Sequence, residues 1–160
     1  MEKLNIILIE DQREVLEAIA KDLEPLEDTF MIEECESAKE AAEVMETILT
    51  QGDYVGLLIS DHVMPVKSGV EFLIDVSKDH RFPHTKKILL TGLATHQDTI
   101  QAINNAAIDR YLEKPWKSDQ LIHYVKQLIT EFILDTGIPY EPYLDQLDKA
   151  ILFERLRKTT

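Results

Sequence analysis

Five short apolar runs alternate with five stretches of helical periodicity in this 160-residue chain, and that alternation predicts an α/β fold with a doubly wound parallel sheet. Two further observations support the expectation. Runs such as Ile6-Ile7-Leu8-Ile9 are rich in β-branched residues and carry no polar interruption, as strands covered on both faces do. The composition, 44% hydrophobic and 29% charged, supplies a real core and does not match a disordered chain. Strand-then-helix alternation places helices on both faces through right-handed crossovers.

The first strand is expected at Leu4–Ile9. Val15, Leu16, Ile19, Leu23 and Leu26 then recur at helical spacing, and Pro25 marks the end of that helix. Thr29–Cys35 reads as a second strand, with Glu33-Glu34 giving it an edge-like character. Ser37 and Glu40 form a capping box for a helix through Ala41, Val44, Met45, Ile48 and Leu49 that stops near Gly52. Val55–Ser60 is the third strand, followed by a helix that begins with Val70–Val76; Ile88–Leu90 is the fourth. Thr95 with Asp98 is expected to cap a helix carrying Ile100, Ile103 and Ala107, and Ile108–Leu112 is a brief fifth strand. Ser118 is expected to cap a long helix striped by Leu121, Ile122, Val125, Leu128, Ile129, Phe132 and Ile133, ending at Gly137. Residues 1–136 thus complete a five-unit domain. Residues 137–160 are an addition: a kinked linker with Pro139 and Pro142, then one more helix carrying Leu144, Leu147, Ile151, Phe153 and Leu156.

Charge is uneven. The net charge is −13, and residues 1–61, with 17 acidic and 4 basic side chains, carry all of it. This acidity argues against a nucleic-acid partner, whose phosphates need clustered Lys and Arg. The longest apolar runs fall far short of the roughly 18 residues a membrane span needs. The start of the chain has no signal-peptide pattern, and a single cysteine, Cys35, can make neither an internal disulfide nor a cysteine-rich zinc site. A cytoplasmic location is the expectation.

In a doubly wound sheet the ligand site lies beyond the carboxyl ends of the strands. Glu10 and Asp11 follow the first strand, Asp61 the third, Thr91 the fourth and Lys114 the fifth. In the flavodoxin-like order 2-1-3-4-5 the first and third strands are neighbours, so three carboxylates converge. Converging carboxylates repel unless a cation holds them. Oxygen ligands with no nearby histidine or thiol pair favour Mg²⁺, or Mn²⁺, over zinc. Lys114 and Thr91 add a point charge and a hydroxyl suited to a phosphoryl group beside that metal.

At these residues the chain resembles the receiver domain of two-component response regulators. The matching stretches are Ile7-Leu8-Ile9-Glu10-Asp11, Leu58-Ile59-Ser60-Asp61-His62-Val63-Met64-Pro65 with Ser68-Gly69, Leu89-Leu90-Thr91-Gly92, and Tyr111-Leu112-Glu113-Lys114-Pro115-Trp116. The resemblance spans residues 4 to about 134. It implies that Asp61 accepts a phosphoryl group from a histidine kinase or phosphotransfer protein. It also implies that Glu10, Asp11, Asp61 and the carbonyl of Val63 hold Mg²⁺. Thr91 and Lys114 would contact the phosphoryl group, Tyr111 would be the switch aromatic, and the Lys114-Pro115 bond would be cis. No enzyme activity is implied beyond self-phosphorylation and autodephosphorylation at Asp61. Glu10 stands where aspartate is more frequent and remains an oxygen ligand. Val63 and Leu93 are apolar at positions flanking the path of hydrolytic water, so a long-lived phosphoryl state is expected. His62 is expected to be a surface residue.

Rival readings are weaker. A haloacid-dehalogenase-type hydrolase needs an acidic residue where Val63 stands, and a flavin carrier would have its phosphate repelled by Glu10-Asp11. The alternative retained is a pseudo-receiver, a protein-binding module that is not phosphorylated. The output is open, because no effector motif follows residue 136: a downstream protein, a missing effector domain, or a homodimer sealed by Leu144, Leu147 and Ile151 all fit the tail. So does a tail that packs back on the domain.

Overall fold

Strand β1 (Leu4–Ile9) is buried along its whole length because it has a strand on each edge and helices on each face. The computed structural model describes residues 1–92, 100 and 104–159. Beside β1 lie β2 (Met31–Cys35) and β3 (Tyr54–Asp61), followed by β4 (Lys86–Thr91) and β5 (Arg110–Glu113), all parallel in the order β2-β1-β3-β4-β5. This is the doubly wound sheet that the sequence predicts. Alternating residues divide the core in two. Leu4, Ile6 and Leu8 meet one set of helices, and Ile7 and Ile9 meet the other.

Helix α1 (Arg13–Asp22) turns Leu16 and Ile19 inward, and the turn at Glu24–Leu26 buries Leu26 beside Leu23. On the opposite face, α2 (Ala38–Thr50) buries Ala38, Ala41, Met45 and Ile48, and α3 (Gly69–Ser77) buries Val70, Phe72, Leu73 and Val76. Back with α1, α4 (Ser118–Thr136) carries Leu121, Val125, Leu128, Ile129, Phe132 and Ile133 into the core and ends on Gly137 at φ 77°.

The sheet contains one irregularity that alternation does not reveal. Asn5 pairs with Val55 but Ile6 pairs with Leu57, so Gly56 is an extra residue in β3. The bulge sends Val55 to the α2 face and Leu57 to the α1 face although they are two apart. A Cβ there would stand 2.6 Å from Leu4 Cδ2, so a larger residue would make the Leu4 side chain shift.

The tail folds back on the domain. Residues Glu141–Gln146 form a 3-10 turn, and α5 (Lys149–Thr159) follows. Tyr143 stacks on Phe30 at 5.7 Å, and Leu147 and Leu152 are buried in the same cluster as α1 and α4. Burial of each leucine contributes about 1.5–3 kcal/mol. Polar ties lock the arrangement: the Asp148 N–H donates to Thr130 Oγ1 (2.8 Å), the Ile151 N–H donates to Asp148 Oδ1 (3.1 Å), and Asp135 accepts from both Lys86 and Arg155 (3.0 Å each).

Several local expectations need correcting. Ser118 is the first residue of α4 and not its cap; the cap position is Lys117, which makes no side-chain cap bond. Ser37 does accept from the Glu40 N–H, but Glu40 reaches back to the Glu36 N–H, so the reciprocal bond falls one residue early. Ala107 is an exposed turn residue at φ 53°, and Ala106 is the buried one. Ile108 precedes β5. Leu144 lies in the 3-10 turn and is partly exposed, while Leu152 and not Ile151 is the fully buried residue of α5. Leu93, Thr95, Asp98 and Ile103 lie outside the described residues. No described helix is long and apolar enough to cross a membrane.

Candidate functional site

The carboxyl edge of the sheet is tied together by single backbone bonds beyond the strands. The Glu10 N–H donates to Cys35 O (3.0 Å), the His62 N–H to Leu90 O (3.1 Å) and the Lys114 N–H to Thr91 O (3.0 Å). Asp61 and Thr91 are the last residues of their strands and do not follow them. The Gly69 N–H donates to His62 O (2.9 Å), which folds the start of α3 onto the end of β3. A Cβ at Gly69 would stand 1.7 Å from the Asp61 carbonyl oxygen, so only glycine allows this approach.

Glu10, Asp11 and Asp61 each offer a carboxylate oxygen, and these oxygens lie within 4.8 Å of one another. Glu10 and Asp61 are buried and Asp11 is exposed. The Lys114 ammonium donates to Asp61 Oδ1 at 2.5 Å and to Glu10 Oε1 at 3.3 Å. The Lys114-Pro115 bond is cis. Burial, and then the neighbouring charge of Asp61, push the Glu10 carboxyl up to about 7. Burial opposes the charge on Lys114, but its bonds to Asp61 and Glu10 outweigh that and raise its pKa.

Among the described residues, one carboxylate oxygen of this cluster has no protein partner. Glu10 Oε2 is buried and accepts no hydrogen bond. A buried carboxylate oxygen without a donor is costly, and a hard cation satisfies it. The all-oxygen donor set therefore fits Mg²⁺ or Mn²⁺. Thr91 is buried beside this cluster at the end of β4. Tyr111 (48% exposed) and Val63 (67% exposed) face solvent. His62 is half-buried, with its Nδ1 enclosed and unpartnered, so it is less exposed than expected.

Three supporting features have roles that the sequence does not assign, although the resemblance quotes Ser68, Gly69 and Trp116. Gly69 is one. Ser68 and Glu71 form a complete capping box that starts α3, for which the Ser-x-x-Glu spacing was a readable signal. The Trp116 indole N–H donates to Asp22 Oδ2 (2.8 Å) and pins the segment after Lys114 to α1; only the folded chain brings these two residues together.

The response regulator receiver domain family matches residues 6–126, which is more than half of the sequence. The chain belongs to that family. The receiver domain is 31% identical over 124 residues to the hydrogenase transcriptional regulatory protein HoxA of Cupriavidus necator, covering 78% of this chain and 24% of that protein. It is 30% identical over 128 residues to the response regulator Rre1 of Synechocystis, covering 80% and 52%. Its fold superposes with a TM-score of 0.71 on the signal receiver domain of an HD domain-containing protein from Pseudomonas fluorescens Pf-5, at 26% identity over 82% of this chain and 98% of that one. A CheY-like receiver domain from Methanospirillum hungatei gives 0.70 at 24% identity, over 84% and 99%, and shares the fold. The receiver chain spans about a quarter of the first relative and about half of the second. Receiver domains act as signalling modules in two-component regulation.

Proposed function

We propose that this receiver domain accepts a phosphoryl group on Asp61 from a phosphohistidine of a sensor kinase or phosphotransfer protein. The Asp61 carboxylate attacks phosphorus, an oxygen–phosphorus bond forms, and the nitrogen–phosphorus bond of the donor breaks with its electron pair returning to the imidazole. The observation that carries this reading is the Lys114 ammonium bonded to Asp61 Oδ1 beside two further carboxylates and an orphaned buried oxygen. Glu10, Asp11, Asp61 and the Val63 carbonyl are the groups that would hold Mg²⁺. When bound, the metal supplies charge neutralisation for the phosphoryl oxygens.

The other roles belong to this chain's own residues. Lys114 is a positioned cation that needs no reorganisation as charge develops on the phosphoryl group. Phosphorylated Asp61 carries close to −2 charge in place of the carboxylate's −1, and that charge draws the Thr91 hydroxyl inward into a hydrogen bond. Tyr111, exposed on β5, reports that movement at a surface formed by β5 and α4. Neutral overall charge in residues 62–136 suits a protein contact there with a downstream protein or an effector domain. Incubation with acetyl phosphate and Mg²⁺ tests the reading by intact mass. One phosphoryl adduct, lost when the metal is chelated, is expected. No adduct in either condition would favour a binding module that works without phosphorylation.

A further inference from the structure

Lys114 lies in the connection 114–117 between β5 and α4. On its amino side the Lys114 N–H is fixed to Thr91 O at 3.0 Å. On the other side Lys117, at the cap position of α4, makes no side-chain cap bond. A lysine side chain is long and flexible, so an ammonium that bonds both Asp61 and Glu10 depends on where its own backbone is kept. Trp116 supplies the second hold. Its ring packs, half-buried, against the core cluster that α1 and α4 share, and its indole N–H donates to Asp22 Oδ2 at 2.8 Å.

Asp22 does not serve its own helix. It is the last residue of α1, where a carboxylate faces the negative end of the helix dipole. The other end of α1 follows directly on Asp11 and Gln12. One rigid helix of about 15 Å therefore starts at the acidic pair and ends on the tryptophan behind the lysine. A hydrogen bond from an N–H to a carboxylate is shorter and stronger than one between neutral groups. This one joins residues 94 apart in sequence, so it ties the connection 114–117 to the body of the domain.

We propose that Asp22 is a positioning residue: through the Trp116 indole it fixes the connection 114–117 and so holds the Lys114 ammonium on Asp61 and Glu10. Its effect on rate rests on the phosphoryl-transfer reading of Asp61; its effect on Lys114 does not. Misplacing a reacting group by about 1 Å costs roughly a hundredfold in rate. With the tie lost, Lys114 is still drawn to the two carboxylates, so a loss on the order of tenfold is expected.

Two measurements on the full chain separate these effects. In the metal-free protein, acetylation by an N-hydroxysuccinimide ester followed by peptide mapping reads how firmly each lysine is held. Lys114 should react about fivefold faster in Asp22→Ala and in Trp116→Phe than in the wild type, which is the worth of one hydrogen bond, while exposed Lys39 reacts unchanged. With acetyl phosphate and Mg²⁺, below each variant's thermal transition, both variants should form the intact-mass adduct about tenfold more slowly. Asp22→Asn should stay near the wild type in both measurements, because its amide oxygen still accepts from the indole. The double variant Asp22→Ala/Trp116→Phe should be no slower than either single one, since the same bond is lost in all three. Unchanged labelling of Lys114 in Asp22→Ala, losses that add in the double variant, or an Asp22→Asn as impaired as Asp22→Ala would each overturn the proposal. A wild type that forms no adduct would overturn the phosphoryl-transfer reading instead, and the labelling of Lys114 would then decide the tie by itself.

Discussion

Lys114 Nζ and Asp61 Oδ1 lie 2.5 Å apart, although 53 residues separate them, and a single backbone bond from the Lys114 N–H to Thr91 O holds the cation in register. The same ammonium reaches Glu10 at 3.3 Å, so one positive charge serves two buried carboxylates. That leaves the cluster short of cations, with Asp11 adding a third negative group at its open side. The electrostatics are thus arranged for a metal and a phosphoryl group together, and they are costly to the fold without a metal.

The pH dependence of stability follows from Glu10. Its carboxyl is raised from 4.5 to about 7 in the folded chain, so the fold favours the protonated form. The stability that this group contributes is complete below pH 4.5 and is lost as pH rises through about 7. The loss is on the order of 3 kcal/mol for the metal-free protein. Urea denaturation of the wild type and Glu10→Gln between pH 4.5 and 8 checks it, with roughly this window set by the shift and its linkage. The glutamine variant should lack this slope; parallel curves would contradict it. Mg²⁺ should restore stability at neutral pH in the wild type by binding the ionised form.

Gly69→Ala should damage the site without touching a charged group. The added Cβ would meet the Asp61 carbonyl at 1.7 Å, so the start of α3 or the end of β3 must move. Such overpacking costs about 1–3 kcal/mol, and the displacement should slow phosphoryl transfer from acetyl phosphate. At Gly92 a Cβ meets nothing within 4 Å, so Gly92→Ala is the control for the stability effect. Urea midpoints and adduct rates for the two variants make the comparison.

Adjacent residues of α5 should respond oppositely. Leu152 is fully buried and Phe153 largely exposed. Leu152→Ala should cost about 2–5 kcal/mol, and Phe153→Ala should stay within about 0.5 kcal/mol of the wild type. Equal effects on the urea midpoint would mean that the tail is not seated on α4 as described.

The sheet and the acidic site were legible because their signals are local. The residues Leu4–Ile9 are apolar throughout since both faces of β1 are covered, and each charged group of the site stands at or just past a strand end. What was not legible depends on contacts between distant residues. Gly56 within the run Tyr54–Asp61 was a readable hint of a bulge, but which partner residues shift register, Asn5 and Ile6 of β1, is set by pairing with a distant strand. The tail was open for a similar reason: Leu144, Leu147 and Ile151 show helical spacing, but the anchors are Tyr143 against Phe30 and Leu152 in the core. Periodicity identifies an apolar face and does not identify what covers it.

Tyr111→Ala should separate acceptance of the phosphoryl group from its readout. The ring is half exposed on β5, and among the described residues no hydrogen bond joins it to the carboxylate–lysine cluster. The variant should form the adduct as the wild type does while its response to phosphorylation is impaired. Loss of the adduct itself would contradict the assignment of Tyr111 to the output surface.

Asp61 is proposed to carry the phosphoryl group. Treating the protein with acetyl phosphate and Mg²⁺, reducing the product with borohydride and mapping its peptides locates the modified position, because an acyl phosphate at aspartate is reduced to homoserine. Homoserine at position 61, absent from the metal-free sample and from Asp61→Asn, is the predicted result. Reduction at another carboxylate, or an adduct that persists in Asp61→Asn, would contradict it.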